Sequence, residues 1–247
     1  VNPAYLLLEV KRALRSPRFL IFTVAFPVLL FVLYVGIFAK SSSPAERAAI
    51  TGVLMVNMCA FGALSATLFA GGRVAIERAA GWQRQLRLTP LSGAGYLGGK
   101  GVVSMLVALP AVILVPLIGG LFEGVSLDAA GWLRVSLGIW LAVIPFALLG
   151  LLLGQLGTAE TMQPITSIVM LGMSFLGGIF IPIDTMPDWL YSIAKILPSY
   201  WLQQIGRGAV VDTLTVDIGQ AVLVLGVWTV VLGALVIRRY QRDSARV

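Results

Sequence analysis

The sequence predicts an all-α integral membrane fold with six transmembrane helices. Three observations carry that prediction. The chain has a mean hydropathy of +0.94, and only 12% of its 247 residues are charged, against about 25% in a soluble domain. Six apolar segments approach or reach the ~20 residues that cross ~30 Å of hydrocarbon. The basic residues, finally, gather on alternate connections.

The N-terminal stretch, residues 1–17, reads as an amphipathic helix lying in the headgroup layer. Pro3 suits a first helical position, and Leu7, Val10 and Leu14 recur at helical spacing with Lys11, Arg15 and Arg18 along a basic edge. This stretch leads into a full-length apolar segment without a small-residue cleavage site, so no cleavable leader is expected. The first span covers residues 19–39, with Pro27 at mid-span. The second covers 50–70 and is rich in small residues that let helices approach closely. Asn57 sits at depth in it and needs a polar partner.

Residues 73–95 form the longest polar interruption. Arg73, Arg78, Arg84 and Arg87 face a single acid, Glu77. A helix over 77–88 places Glu77, Arg84 and Arg87 on one side and Ala79, Trp82 and Leu86 on the other, ending before Thr89-Pro90. Two readings stand: a docking element for a partner, or a solvated loop that only sets orientation.

The third span covers 102–121, the fourth 133–153 and the fifth 165–181. Residues 182–202 then read as a short re-entrant or interfacial outer helix. Thr185 is its cap, Trp189, Ile193 and Ile196 share one face, and Trp189, Tyr191, Tyr200 and Trp201 lie at headgroup level. The paired Gly177-Gly178 suits close packing or a bend. The last span, 218–237, precedes a basic tail. With the N-terminus inside, thirteen of the 18 Lys and Arg fall on inner segments, so both termini and the 73–95 loop are expected in the cytosol. The net charge of +7 then reflects the membrane, and nucleic acid is not an expected partner.

Chemistry is sparse. Histidine is absent and Cys59 is the only cysteine, which removes the common metal ligands and the commonest general base. The nearest approach to a phosphate loop, Ala94 to Gly101, lacks its first glycine and the hydroxyl after Lys100. Arg134, Lys100 and Glu160 lie near span ends, so ion coupling through intramembrane charge is not expected. Energy for transport is expected from outside the chain. Rival readings are a stand-alone secondary carrier and a membrane enzyme built on Asp184 and Asp188.

A resemblance bears on these alternatives. Glu77 to Leu91 is similar to the intracellular loop of ABC type-2 permeases, the membrane subunits of ATP-binding-cassette exporters: Glu, a Gly, then a Leu/Arg-rich helix closing on Thr-Pro. Phe175 to Pro182, Met186 to Leu190 and Leu197 to Trp201 resemble the segment that comes after the family's fifth span. Trp82 departs from the smaller residue common there. The resemblance covers nearly the whole chain as a single permease domain, 1–247. It implies two six-span subunits, identical or homologous, each docked on a separate ABC ATPase that binds ATP and Mg, with no cofactor on this chain.

The loop helix would be the coupling helix. Glu77, Arg78, Gly81, Trp82, Arg84, Leu86 and Arg87 would make its contact, and Lys11 and Arg15 of the N-terminal helix a second one. In related exporters the second and fifth spans line a central cavity, which here implicates Met55, Asn57, Met58, Phe61, Met170, Met173 and Phe175. Such a lining suits a drug, antibiotic or lipid-like amphiphile moved outward across the inner (cytoplasmic) membrane. Polysaccharide export is the alternative cargo.

Overall fold

The computed structural model describes residues 3–40, 43–81, 93–211 and 216–244. The regular elements among the described residues are helices, without strands, in the order α1 (Pro3–Leu14), α2 (17–38), α3 (Pro44–Ala79), α4 (Gly93–Leu121), α5 (Ala129–Leu156), α6 (Met162–Leu176), α7 (Asp188–Ala194), α8 (Pro198–Arg207) and α9 (Ile218–Ser244). Five are long and apolar enough to cross a membrane: α2 from Ile21 onward, α3, α4, α5 and α9.

The body is built around α3. Its 36 residues extend about 54 Å, well beyond the hydrocarbon thickness. A capping box starts it: Glu46 N–H donates to Ser43 Oγ, and Ser43 N–H donates to Glu46 Oε2 at 3.0 Å. It is buried along most of its length because small residues admit neighbouring backbones. A Cβ on Gly71 would lie 2.4 Å from the carbonyl carbon of Gly150, and one on Gly154 would lie 2.6 Å from the Gly71 oxygen. Gly150 and Gly154 stand one turn apart on α5, the small-xxx-small spacing of close helix pairs.

Prolines shape the other spans. Pro27 has no N–H and crowds the carbonyl one turn earlier. The chain absorbs this in a π-turn, Ile21–Ala25, where the Phe26 N–H reaches back to the Ile21 oxygen. Thr23 Oγ1 donates to Phe19 O at 2.7 Å. α5 contains a second π-turn, Arg134–Gly138, and breaks at Val143 ahead of Pro145. In α4, Pro110 and Pro116 are carried within the helix, and the Trp140 indole donates to Met105 O at 2.9 Å.

The fifth expected span is shorter than the sequence suggests. α6 has 15 residues, about 22 Å, and ends where Gly178 takes φ +83°. Gly177 also packs tightly: a Cβ there would meet Ser199 Oγ at 2.3 Å. The pair therefore serves both the bend and the packing.

Beyond α6 the chain forms two helices in place of one interfacial helix. Thr185 does not cap α7; its hydroxyl donates to Pro182 O, and α7 begins after Pro187 without a side-chain cap. Pro198 opens α8 rather than only ending its predecessor. α8 is driven into the body, with Tyr200 and Trp201 buried rather than at a headgroup surface. The Trp201 indole is satisfied by Lys195 O at 2.8 Å. Trp189 does remain exposed.

Candidate functional site

Two features stand out on the bundle: a buried charge cluster at one end, and an aromatic groove along one side.

The charge cluster joins α1, α3 and α4. Lys100 Nζ lies 2.8 Å from Glu9 Oε2 and 2.5 Å from Glu77 Oε1. Glu77 Oε2 accepts a hydrogen bond from Tyr96 O–H at 2.8 Å. Tyr96 and Lys100 stand one turn apart on α4, so both reach Glu77 from the same side. Glu9, Glu77, Lys100 and Tyr96 are all buried. Beside them the Arg78 guanidinium donates to the Gln155 carbonyl and ties α3 to the end of α5. One ammonium shared by two carboxylates leaves the trio with a formal charge of −1. Tyr96 adds a donor to the acid that ends α3. Charge-assisted bonds of this kind are about twice as strong as neutral ones. Burying three ions is costly, so the arrangement holds only while all members are present.

This end of the molecule revises several expectations. The helix bearing Glu77 is the second span itself, continued to Ala79. Gly81, at φ +70°, ends it in the left-handed conformation, and the Gly81 N–H bonds to Arg78 O at 3.0 Å. A single helix over 77–88 is therefore interrupted at Gly81, and Glu77 faces inward to Lys100. Trp82, Arg84, Leu86 and Arg87 lie outside the described residues. On α1 the inward face is Leu6, Glu9, Val10 and Ala13. Leu7, expected on the apolar seam, is 69% exposed. Lys11 and Arg15 point outward. Glu9, Tyr96 and Lys100 are members that sequence reasoning misses. Their signal is faint: a lone acid on α1, and a lysine within an apolar run.

The groove runs between α2, α3 and α6. A cavity of about 460 Å³ is lined by Phe22, Phe26 and Tyr34 of α2, Phe61 and Phe69 of α3, Met170 and Phe175 of α6, and Phe180. The Phe61 and Phe180 rings lie 5.0 Å apart, and Phe175 and Phe180 5.3 Å. Phe61, Met170 and Phe175 thus converge on this groove.

Four others do not. Met55 is fully buried against α4, where a Cβ on Gly119 would meet its sulfur at 2.4 Å. Met58 is fully buried in the core. Asn57 finds its partner in Gln203 of α8, whose Nε2 donates to Asn57 Oδ1 at 3.1 Å and to Gly178 O at 2.8 Å. Met173 is half-buried, and its sulfur accepts from Ser199 Oγ at 3.8 Å. These four hold helices together. Gln203 is the member the sequence conceals, because it sits in a stretch with the composition of an outer surface.

A second cavity of about 600 Å³ shares Phe22 and Phe69 with the first and extends toward the charged end, where Arg73, Gln163 and Thr166 line it. Among the described residues no group of three or more acids, histidines or cysteines is arranged to hold a metal ion.

Comparison with known proteins places this architecture. The family described as ABC-2 type transporter matches residues 4–211. A protein of Bacillus subtilis (strain 168), YvfS, named for a transport-permease role, is 28% identical over 202 residues, covering 81% of this chain and 80% of that one. With the five spanning-length helices, these matches identify a multi-pass membrane protein.

Proposed function

The chain belongs to the ABC-2 type transporter family as a membrane permease, and from that premise we propose that it exports an apolar or amphiphilic compound when driven by a separate ABC ATPase. Permeases of this family work with such a subunit, and the matched region is a membrane domain without an ATPase site. In this reading the end carrying Glu77 faces the cytosol of a bacterial-type inner membrane. A second copy or a homologue completes the transporter. The coupling contact comes from the stretch 82–92, from Arg78 and Gly81 at its entrance, and from Lys11 and Arg15 on α1.

The observation that carries the proposal is the buried clasp of Glu9, Glu77, Tyr96 and Lys100. The loop leaves α3 just after Glu77 and enters α4 just before Tyr96. Both of its roots are tied to one another and to α1. A push on the loop is then delivered to three helices as one body rather than absorbed by fraying ends. One of them, α3, carries Phe69 and Phe61 into the groove. Glu77 is a positioning residue in this scheme, and Lys11 and Arg15, exposed at the end of α1, make the contact together with the stretch 82–92.

The groove supports the cargo class. Aromatic rings and Met170 form an apolar, adaptable wall. That suits an amphiphile better than a hydroxyl-rich glycan. Alternating access would open the groove to one side and then the other as the ATPases close and part.

The test is reconstitution of the permease with its ATPase in liposomes, following ATP-dependent movement of fluorescent amphiphiles. Phe61→Ala and Phe175→Ala should lower transport while the ATPase still binds. Unchanged transport of every amphiphile by both variants would remove the groove from the pathway.

A further inference from the structure

We propose that the groove takes an amphiphile with an acidic head, held by Arg73 at the charged end, and a single-leaflet apolar tail laid along Phe69 and Phe61. The inference rests on the groove being the cargo path and adds the chemistry of the head.

The two cavities adjoin one another, with Phe22 and Phe69 in the lining of both. Their linings differ. The inner one contains Ser16, Arg73, Gln163 and Thr166, while the outer one is aromatic and aliphatic. Among the described residues no carboxylate lines the inner cavity. Arg73 is half-buried on α3, and among the described residues no acid or hydrogen-bond acceptor is paired with it. Its neighbours Arg78 and Lys100, by contrast, are committed to Gln155 and to the clasp. Thr166 is 2% exposed yet lines the cavity, and its hydroxyl makes no hydrogen bond to another described residue. The absence of a side chain on Gly72 leaves the space: a Cβ there would approach Met162 Cε at 3.1 Å and Thr166 Oγ1 at 3.4 Å.

A half-buried guanidinium with no counter-ion among the described residues, in a cavity also lined by the Thr166 hydroxyl, is complementary to a carboxylate or phosphate. The length agrees. Arg73 and Phe61 are twelve residues apart on one helix, about 18 Å. This is close to half the ~30 Å hydrocarbon core. A head at Arg73 therefore places a tail within one leaflet.

The experiment uses the full permease in nanodiscs of neutral lipid and a photoreactive fatty acid, with the matching alcohol and amine as controls. Labelled peptides are mapped by mass spectrometry. The carboxylate probe should label α2, α3 and α6 in preference to both controls. Arg73→Gln should weaken its binding roughly tenfold or more and leave the alcohol unaffected. Arg73 breaks no ion pair among the described residues, so the variant should fold as the parent does. Competition by phosphatidate would assign a membrane lipid as the source. Competition by free fatty acid alone would assign a soluble one. Both outcomes support an acidic head. Equal labelling by acid and alcohol, or equal weakening of both by Arg73→Gln, would overturn the acidic head while leaving the groove as an apolar path. No labelling of the groove by any probe would overturn the path itself.

Discussion

Replacing Lys100 with methionine should be the most damaging single change at the charged end. The substitution keeps the length of the side chain and removes only its charge and donors. In the native protein one ammonium, 4% exposed, lies 2.8 Å from Glu9 and 2.5 Å from Glu77. At an effective dielectric of about 20, each contact contributes on the order of 6 kcal/mol of Coulomb attraction. Most of that is offset by taking three ions out of water. After Lys100→Met the attraction is lost but the burial remains. Two carboxylates then face each other with only Tyr96 O–H between Glu77 and an unpaired state. Removing one partner of a buried pair costs about 3–5 kcal/mol, and a lysine shared by two acids should fall toward the upper end. The assay is reversible unfolding in mixed micelles by denaturant titration, comparing midpoint and slope. The triple variant Glu9→Gln, Lys100→Met, Glu77→Gln removes every charge from the clasp and should recover most of the loss. It should also remain folded yet couple poorly to the ATPase. A cost below about 1 kcal/mol for Lys100→Met would refute a closed clasp. Failure of the triple variant to recover would shift the explanation to packing.

Three further changes address the rest of the bundle. Gly150→Val should cost well over the roughly 1–3 kcal/mol of ordinary overpacking, because its Cβ would meet the Thr67 and Leu68 carbonyls at 2.9 Å, and backbone cannot rotate away; micelle unfolding measures it, and a near-neutral result would mean that α3 and α5 do not cross here. Cys59 is fully buried, so a maleimide should label it only after unfolding; rapid labelling of folded protein would contradict the central position of α3. Gln203→Ala should cost more than Asn57→Ala, roughly 1–3 against about 1 kcal/mol, since Gln203 serves both Asn57 and Gly178; the reverse order by the same unfolding assay would deny α8 its place in the core.

The contrast between what can and cannot be read from the sequence has physical causes. Long apolar runs disclose spanning helices because lipid demands an internally bonded backbone. Accordingly α2, α3, α4, α5 and α9 are legible. Helix faces are harder, since hydropathy cannot rank the sides of a helix that is apolar all round. Met55 and Met58 therefore look as available as Phe61, although only Phe61 reaches the groove. The short helices mislead most. Tyr200 and Trp201 carry the composition of an interface belt, but Pro198 restarts the helix and turns them inward. The small residues of the second span do signal close packing, and Gly62 packs in that way: a Cβ there would lie 2.8 Å from Ala111 Cβ. The clasp is not legible, because Glu9, Glu77 and Lys100 are far apart in sequence and each borders an apolar run where a charge ordinarily meets water. The end of α3 at Gly81 is hidden by a helical pattern that continues across the glycine.

The central claim is that work done by an ATPase enters at the charged end and moves cargo through this chain. It is tested most directly by seeking an ABC ATPase in pull-downs from the native host, reconstituting it with the permease and measuring cargo movement in liposomes. Transport should require ATP, both proteins and an intact Glu9–Lys100–Glu77 clasp. Transport by the permease alone, driven by an ion gradient and indifferent to ATP, would contradict it.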